Sequence, residues 1–162
     1  MSIEDQVSFE QWKALFNATS AASAYVSTAS GGGFEIFKEL FSASKFMMES
    51  IQNSSGSGYG ELVDAFLKKM KGISPKDAKV YSEKYESRDL NGIRAEAKQA
   101  VADSAAIASA LPGGDGFKRW VLDMARKVAE TKTGGVLGMG GSSVVDEKEQ
   151  AALDELAAIM GI

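Results

Sequence analysis

The chain has 162 residues, 44% of them apolar, with two Trp, four Tyr and eight Phe, which is enough to fill one hydrophobic core. It contains no Cys and no His, so disulfides, thiolate nucleophiles, Ser-His-Asp and Cys-His catalysis and the usual zinc, copper and haem ligand sets are all excluded. A formal net charge of -4 gives no overall attraction to nucleic acid or anionic lipid, which are bound through phosphate neutralisation by Lys and Arg.

The opening MSIEDQ carries two acids and no basic segment leading into an apolar run, so no secretory signal is expected. No charge falls between Lys13 and Glu35, a stretch long enough for a membrane span. Its content argues otherwise: Asn17, Thr19, Ser20, Ser23, Ser27, Thr28 and Ser30, followed by glycines at 31 to 33, are too costly in hydrocarbon. The expectation is a cytoplasmic protein with no membrane span.

Apolar residues recur at helical spacing almost throughout, and no segment alternates with a period of two. Ser8 with Gln11 forms a capping-box pattern ahead of Phe9, Trp12, Leu15 and Phe16, predicting a first helix that runs to about Ala29. Its second half is rich in small residues, which let a neighbour approach closely, while the Ser and Thr lower helix propensity and favour fraying. A second helix over roughly Phe34 to Gln52 places Phe37, Leu40, Phe41, Met48 and Ile51 on one side. Met47 and Met48 cannot both face inward, so Phe46, Met47 and Met48 are a candidate interaction surface for self-association or a protein partner.

NSSGSGYG at 53–60 reads as a flexible loop and as the one hinge candidate in a single 162-residue domain. Leu62, Val63, Phe66, Leu67 and Met70 predict a short third helix ending near Gly72 with a left-handed cap. Ser74, Pro75 and Asp77 mark the start of a fourth, predicted to extend to about Glu86. Lys68, Lys69, Lys71, Lys76 and Lys79 gather around this helix-turn-helix, but the second helix offers no Arg to read guanine edges, so solvated lysines are expected and no nucleic-acid partner.

Asp89 caps a long fifth helix carrying Leu90, Ile93, Ala97, Ala100, Val101, Ser104 and Ala108, and LPGGDG at 111–116 ends it. Phe117, Trp120, Val121, Met124, Ala125 and Val128 then recur at i, i+3, i+4, i+7, i+8 and i+11, defining a sixth helix to near Lys132. Asp146 with Glu149 starts a seventh, bearing Leu153, Leu156, Ala157 and Met160 up to Gly161. About seven helices with short connections imply an all-α single-domain bundle.

The segment TGGVLGMGGSSVVDEKEQ, 133–150, has the parts of a phosphate cradle: Gly138, Gly140 and Gly141 with Ser142 and Ser143 ahead of a helix start are the candidate anion site. A Walker loop needs Lys then Ser or Thr after its last glycine, and a dinucleotide turn needs a preceding strand; neither is present. Asp146, Glu147 and Glu149 would also repel a phosphate there. The favoured reading is a connector in which Gly134 caps the sixth helix and Val136, Leu137 and Met139 turn inward. The same acids are candidate ligands for calcium or magnesium, although no EF-hand spacing occurs.

Residues 120–161 resemble the C-terminal part of a group of helical bacterial proteins in which a Trp-bearing helix runs into a Gly-Gly, apolar, Gly-Gly loop and an acidic, alanine-rich last helix. VDEKEQAALDELAAIMGI is also similar to helices of the TerB-like tellurite-resistance family. That resemblance implies an all-helical bundle and a metal or stress response with acidic residues as ligands. The residue patterns themselves are those of cores and caps, and they favour a non-enzymatic protein that binds a partner or a small ligand between its helices.

Overall fold

The computed structural model describes residues 1–30, 49, 58–82, 84–133 and 145–162. Seven α-helices occur among them: α1 (Ile3–Gln6), α2 (Phe9–Ser27), α3 (Glu61–Lys71), α4 (Pro75–Tyr81), α5 (Leu90–Ser109), α6 (Gly114–Thr133) and α7 (Glu147–Met160). With no strand among the described residues, the protein is an all-α single-domain bundle, and no described helix is long and apolar enough to cross a membrane. The second predicted helix apart from Glu49, the Phe46–Met48 surface, residues 53–57 of the hinge candidate and the glycine-rich connector at 134–144 lie outside the described residues.

Four helix starts form where polar caps predict them. Ser8, Ser74, Asp89 and Asp146 each accept the N–H three residues on, from Gln11, Asp77, Gly92 and Glu149, at 2.8 to 3.2 Å. The short α1 is unexpected; Ser2 donates both its N–H and its hydroxyl to the Asp5 carboxylate, at 3.0 and 2.7 Å. Gly72 does not adopt the left-handed cap expected of it, lying at φ -83°, whereas Gly161 does so at φ 70°.

α2 is the centre of the bundle and makes its most extensive interface with α5, then with α6. Ala18, Ala21, Ala22 and Ala24 on α2, and Ala97, Ala105 and Ala108 on α5, are buried, so small side chains let the backbones approach. The Ser- and Thr-rich half of α2 does not fray: Thr19, Ser23, Ser27 and Thr28 are buried. Ser23 donates to the Thr19 carbonyl at 2.8 Å and Thr28 to the Ala24 carbonyl at 2.8 Å. Bonding back to the helix's own carbonyls spares the Ser23 and Thr28 hydroxyls an unsatisfied burial.

The large side chains collect where α2, α3 and α6 meet. The Phe66 ring lies 5.4 Å from Trp120, 5.7 Å from Phe117 and 6.4 Å from Trp12, the first two pairs edge to face. Every apolar position of the stripe predicted for α6, from Phe117 to Val128, is at most 1% exposed. Leu153, Leu156 and Met160 of α7 complete the core.

α4 ends at Tyr81, well short of the predicted Glu86. The Asn17 side-chain amide donates to the Tyr81 carbonyl at 2.6 Å, and Ser82 turns extended with ψ 130°. Residues 82 and 84–89 follow without helical structure and, bound to α5 through Glu96, form an irregular strap beside α2.

Candidate functional site

That strap forms one wall of a cleft with a volume of about 90 Å³. Its floor is Ala21 of α2 and Ala100 of α5; Asn17, Ser20, Tyr85, Lys84 and Glu96 surround it. A wider depression continues from it past Lys13, Ser82 and Glu86. At ~30 Å³ per liquid water, the cleft is about three water molecules in size, room for a small polar molecule.

Glu96 holds the strap in place. Its two carboxylate oxygens accept the N–H of Glu86 at 2.8 Å and that of Ser87 at 2.7 Å. The Ser87 hydroxyl, together with those two N–H groups, holds the Glu96 carboxyl below its ordinary range, so it is an anion at neutral pH. On the opposite wall, Asn17 donates to the Lys13 and Tyr81 carbonyls at 2.8 and 2.6 Å, and Ser20 donates to the Asn17 carbonyl at 3.0 Å. Desolvation first, and the Glu96 charge second, push the Tyr85 phenol up to about 12. Tyr85 is therefore a neutral hydrogen-bonding group beside a fixed anion.

None of these residues belongs to a site expected from the sequence. Asn17 and Ser20 sit in the uncharged stretch, Glu96 is one of two acids on α5, and Lys84 and Tyr85 were expected on a helix. The only signal was Asn17, a polar residue of low helix propensity within the apolar and small-residue run of α2.

The acidic residues predicted as metal ligands occupy the start of α7. Asp146 Oδ1 accepts the Glu149 N–H at 2.8 Å, and the Glu149 carboxylate accepts the Asp146 N–H at 3.3 Å. Glu149 is only 1% exposed, while Asp146 and Glu147 are exposed. Among the described residues no group of three or more carboxylates is placed to hold a metal ion. Asp146→Ala is expected to cost about 1 kcal/mol in urea unfolding and Asp146→Asn much less, since Asn keeps the capping oxygen. Equal losses in both variants would mean that the charge, not the cap, is what matters. The candidate anion residues Gly138, Gly140, Gly141, Ser142 and Ser143 lie outside the described residues.

Of the lysine group, Lys68 pairs with Glu4 of α1 at 2.8 Å, and Lys69 lies 5.2 Å from the centre of the Trp12 ring. A different lysine, Lys118, is buried, with its ammonium 2.7 Å from Asp115 and 3.2 Å from the Ser109 hydroxyl.

Two further tyrosines bind acids across the bundle. The Tyr25 hydroxyl donates to Glu155 of α7, while the Arg94 guanidinium stands 3.9 Å from the Tyr25 ring and donates to its carbonyl at 2.8 Å. The Tyr59 hydroxyl donates to Asp123 of α6 at 2.7 Å. Desolvation, then the Asp123 hydrogen bond and charge, push the Tyr59 phenol from 10.0 up to about 12. A phenol pKa raised by folding stabilises fully below the ordinary value and loses that contribution as pH rises through the folded one. Unfolding free energy should thus fall between pH 10 and 12, and fall less in Tyr59→Phe, as followed by tyrosinate absorbance with urea titration.

Comparison with protein-family models, curated proteins and solved structures finds no match for the chain.

Proposed function

We propose that the protein binds a small polar molecule in the cleft between α2, α5 and the strap that follows α4. The observation that carries this reading is the convergence of an amide, a hydroxyl, a phenol, an ammonium and a carboxylate, from Asn17, Ser20, Tyr85, Lys84 and Glu96, around one small cleft. Ligand sites are concave and combine apolar walls with a few placed polar groups, here the Ala21 and Ala100 floor under a polar rim. Glu96 prepares the site before any ligand arrives, because its hydrogen bonds to Glu86 and Ser87 already fix the wall. This is a binding role, in keeping with the absence of His and Cys chemistry from the sequence.

Thermal unfolding in the presence of a panel of small polar metabolites tests the reading. A ligand at ten times its Kd adds about 1.4 kcal/mol, a rise of roughly 3–6 °C for a domain of this size. Ser20 is exposed at the cleft edge, so Ser20→Leu should fill the space at little cost to the fold. The variant is expected to lose the rise. An unchanged rise in Ser20→Leu would move the binding site elsewhere, and no rise with any compound would count against a small-ligand role.

A further inference from the structure

We infer that the ligand of this cleft is a small zwitterion, of the size and kind of a short α-amino acid; the inference rests on the proposed binding role. Among the described residues, the cleft lining presents one fixed anion and one cation. Glu96 stays ionised because the Ser87 hydroxyl and two backbone N–H groups favour its charged form. Its two oxygens accept one strap N–H each and the Ser87 hydroxyl, three of about four lone-pair sites, which leaves one for a ligand ammonium. Lys84 lines the same cleft with an exposed side chain that makes no hydrogen bond or ion pair within the described residues, and its ammonium has three donors for a carboxylate.

Glu86 adds a second carboxylate at the mouth. An anion alone would meet Lys84 but be opposed by Glu96 and Glu86. A cation alone would meet Glu96 but be opposed by Lys84. Only a molecule that carries both charges a few atoms apart leaves neither unmatched. The cleft volume of about 90 Å³ suits a small molecule, and the Ala21 and Ala100 methyls that line it suit a short aliphatic substituent.

Titration of isotope-labelled protein with L-alanine, acetate and methylammonium, followed by amide NMR shifts, tests the inference. L-alanine is expected to shift the amides of Ser20, Tyr85 and Glu96 and to bind at least about tenfold more tightly than either half-molecule, a difference of 1.4 kcal/mol. Lys84→Met should abolish the preference over methylammonium. Glu96→Gln should abolish the preference over acetate; since it can also loosen the strap, the exposed Lys84 carries the test by itself.

If acetate or methylammonium matches L-alanine at these amides, the zwitterion inference fails while the cleft remains the binding site. If none of the three shifts them but another polar metabolite does, the zwitterion again fails and the cleft reading survives. If no compound shifts them, both fail.

Discussion

Trp120→Ala is expected to lower the unfolding free energy by ~3–5 kcal/mol, the largest effect of any single truncation in this bundle. Trp120 is the largest fully buried side chain, 1% exposed on α6. Its ring stands edge to face with Phe66 at 5.4 Å and lies 5.8 Å from Phe117. Removing it takes apolar area out of the core and leaves a void that α3 and α6 cannot close, because the rings of Phe66 and Phe117 are already held by each other at 5.7 Å. Set against a typical domain stability of ~5–15 kcal/mol, such a loss brings the protein close to unfolding. Urea titration followed by circular dichroism measures it, with Trp120→Phe as the milder comparison. A loss below about 1 kcal/mol would show that the aromatic cluster is not the core.

Gly116→Ala should cost ~3 kcal/mol, for a different reason. A Cβ at Gly116 would lie 1.5 Å from the Tyr59 carbonyl oxygen and 2.7 Å from its carbon. Both are backbone atoms, so no side chain can swing aside. Gly114, one turn start earlier, has a Cβ position 1.8 Å from the Ala108 oxygen. Together they let the first turn of α6 press against residue 59 on one side and the end of α5 on the other. Gly161→Ala provides the contrast: its φ of 70° is left-handed, but open space surrounds it, and the cost should be about 1 kcal/mol. Similar losses at Gly116 and Gly161 would contradict the close approach.

LPGGDG illustrates what the sequence can and cannot say. As a string it marks the end of α5, and α5 does end at Ser109. That Gly114 already belongs to α6, and that Gly116 admits a carbonyl from residue 59, depends on contacts across 57 residues of chain (59 to 116) that no local pattern encodes. By contrast, the α6 stripe and the caps at Ser8, Ser74, Asp89 and Asp146 were legible because each rests on neighbours within four residues.

The length of α4 was misjudged for the same physical reason. Nothing local stops a helix at Tyr81; the stop is the Asn17 amide, 64 residues away, taking the Tyr81 carbonyl. The small-residue half of α2 was legible as a close-packing surface, but its low helix propensity suggested fraying, which burial against α5 overrides. The cleft was not legible at all. Its groups come from α2, the strap and α5, each an ordinary polar residue in its own segment, and only the fold brings them together.

The most direct test of the binding role is a map of amide NMR shifts for the whole protein against a library of small polar compounds. Shifts that cluster at residues 17–21, 84–87 and 96–100, and that vanish in Ser20→Leu, are the predicted result. Shifts that gather elsewhere, for instance around the exposed Phe9 and Val80, would contradict the cleft as the binding site and direct attention to that apolar surface instead.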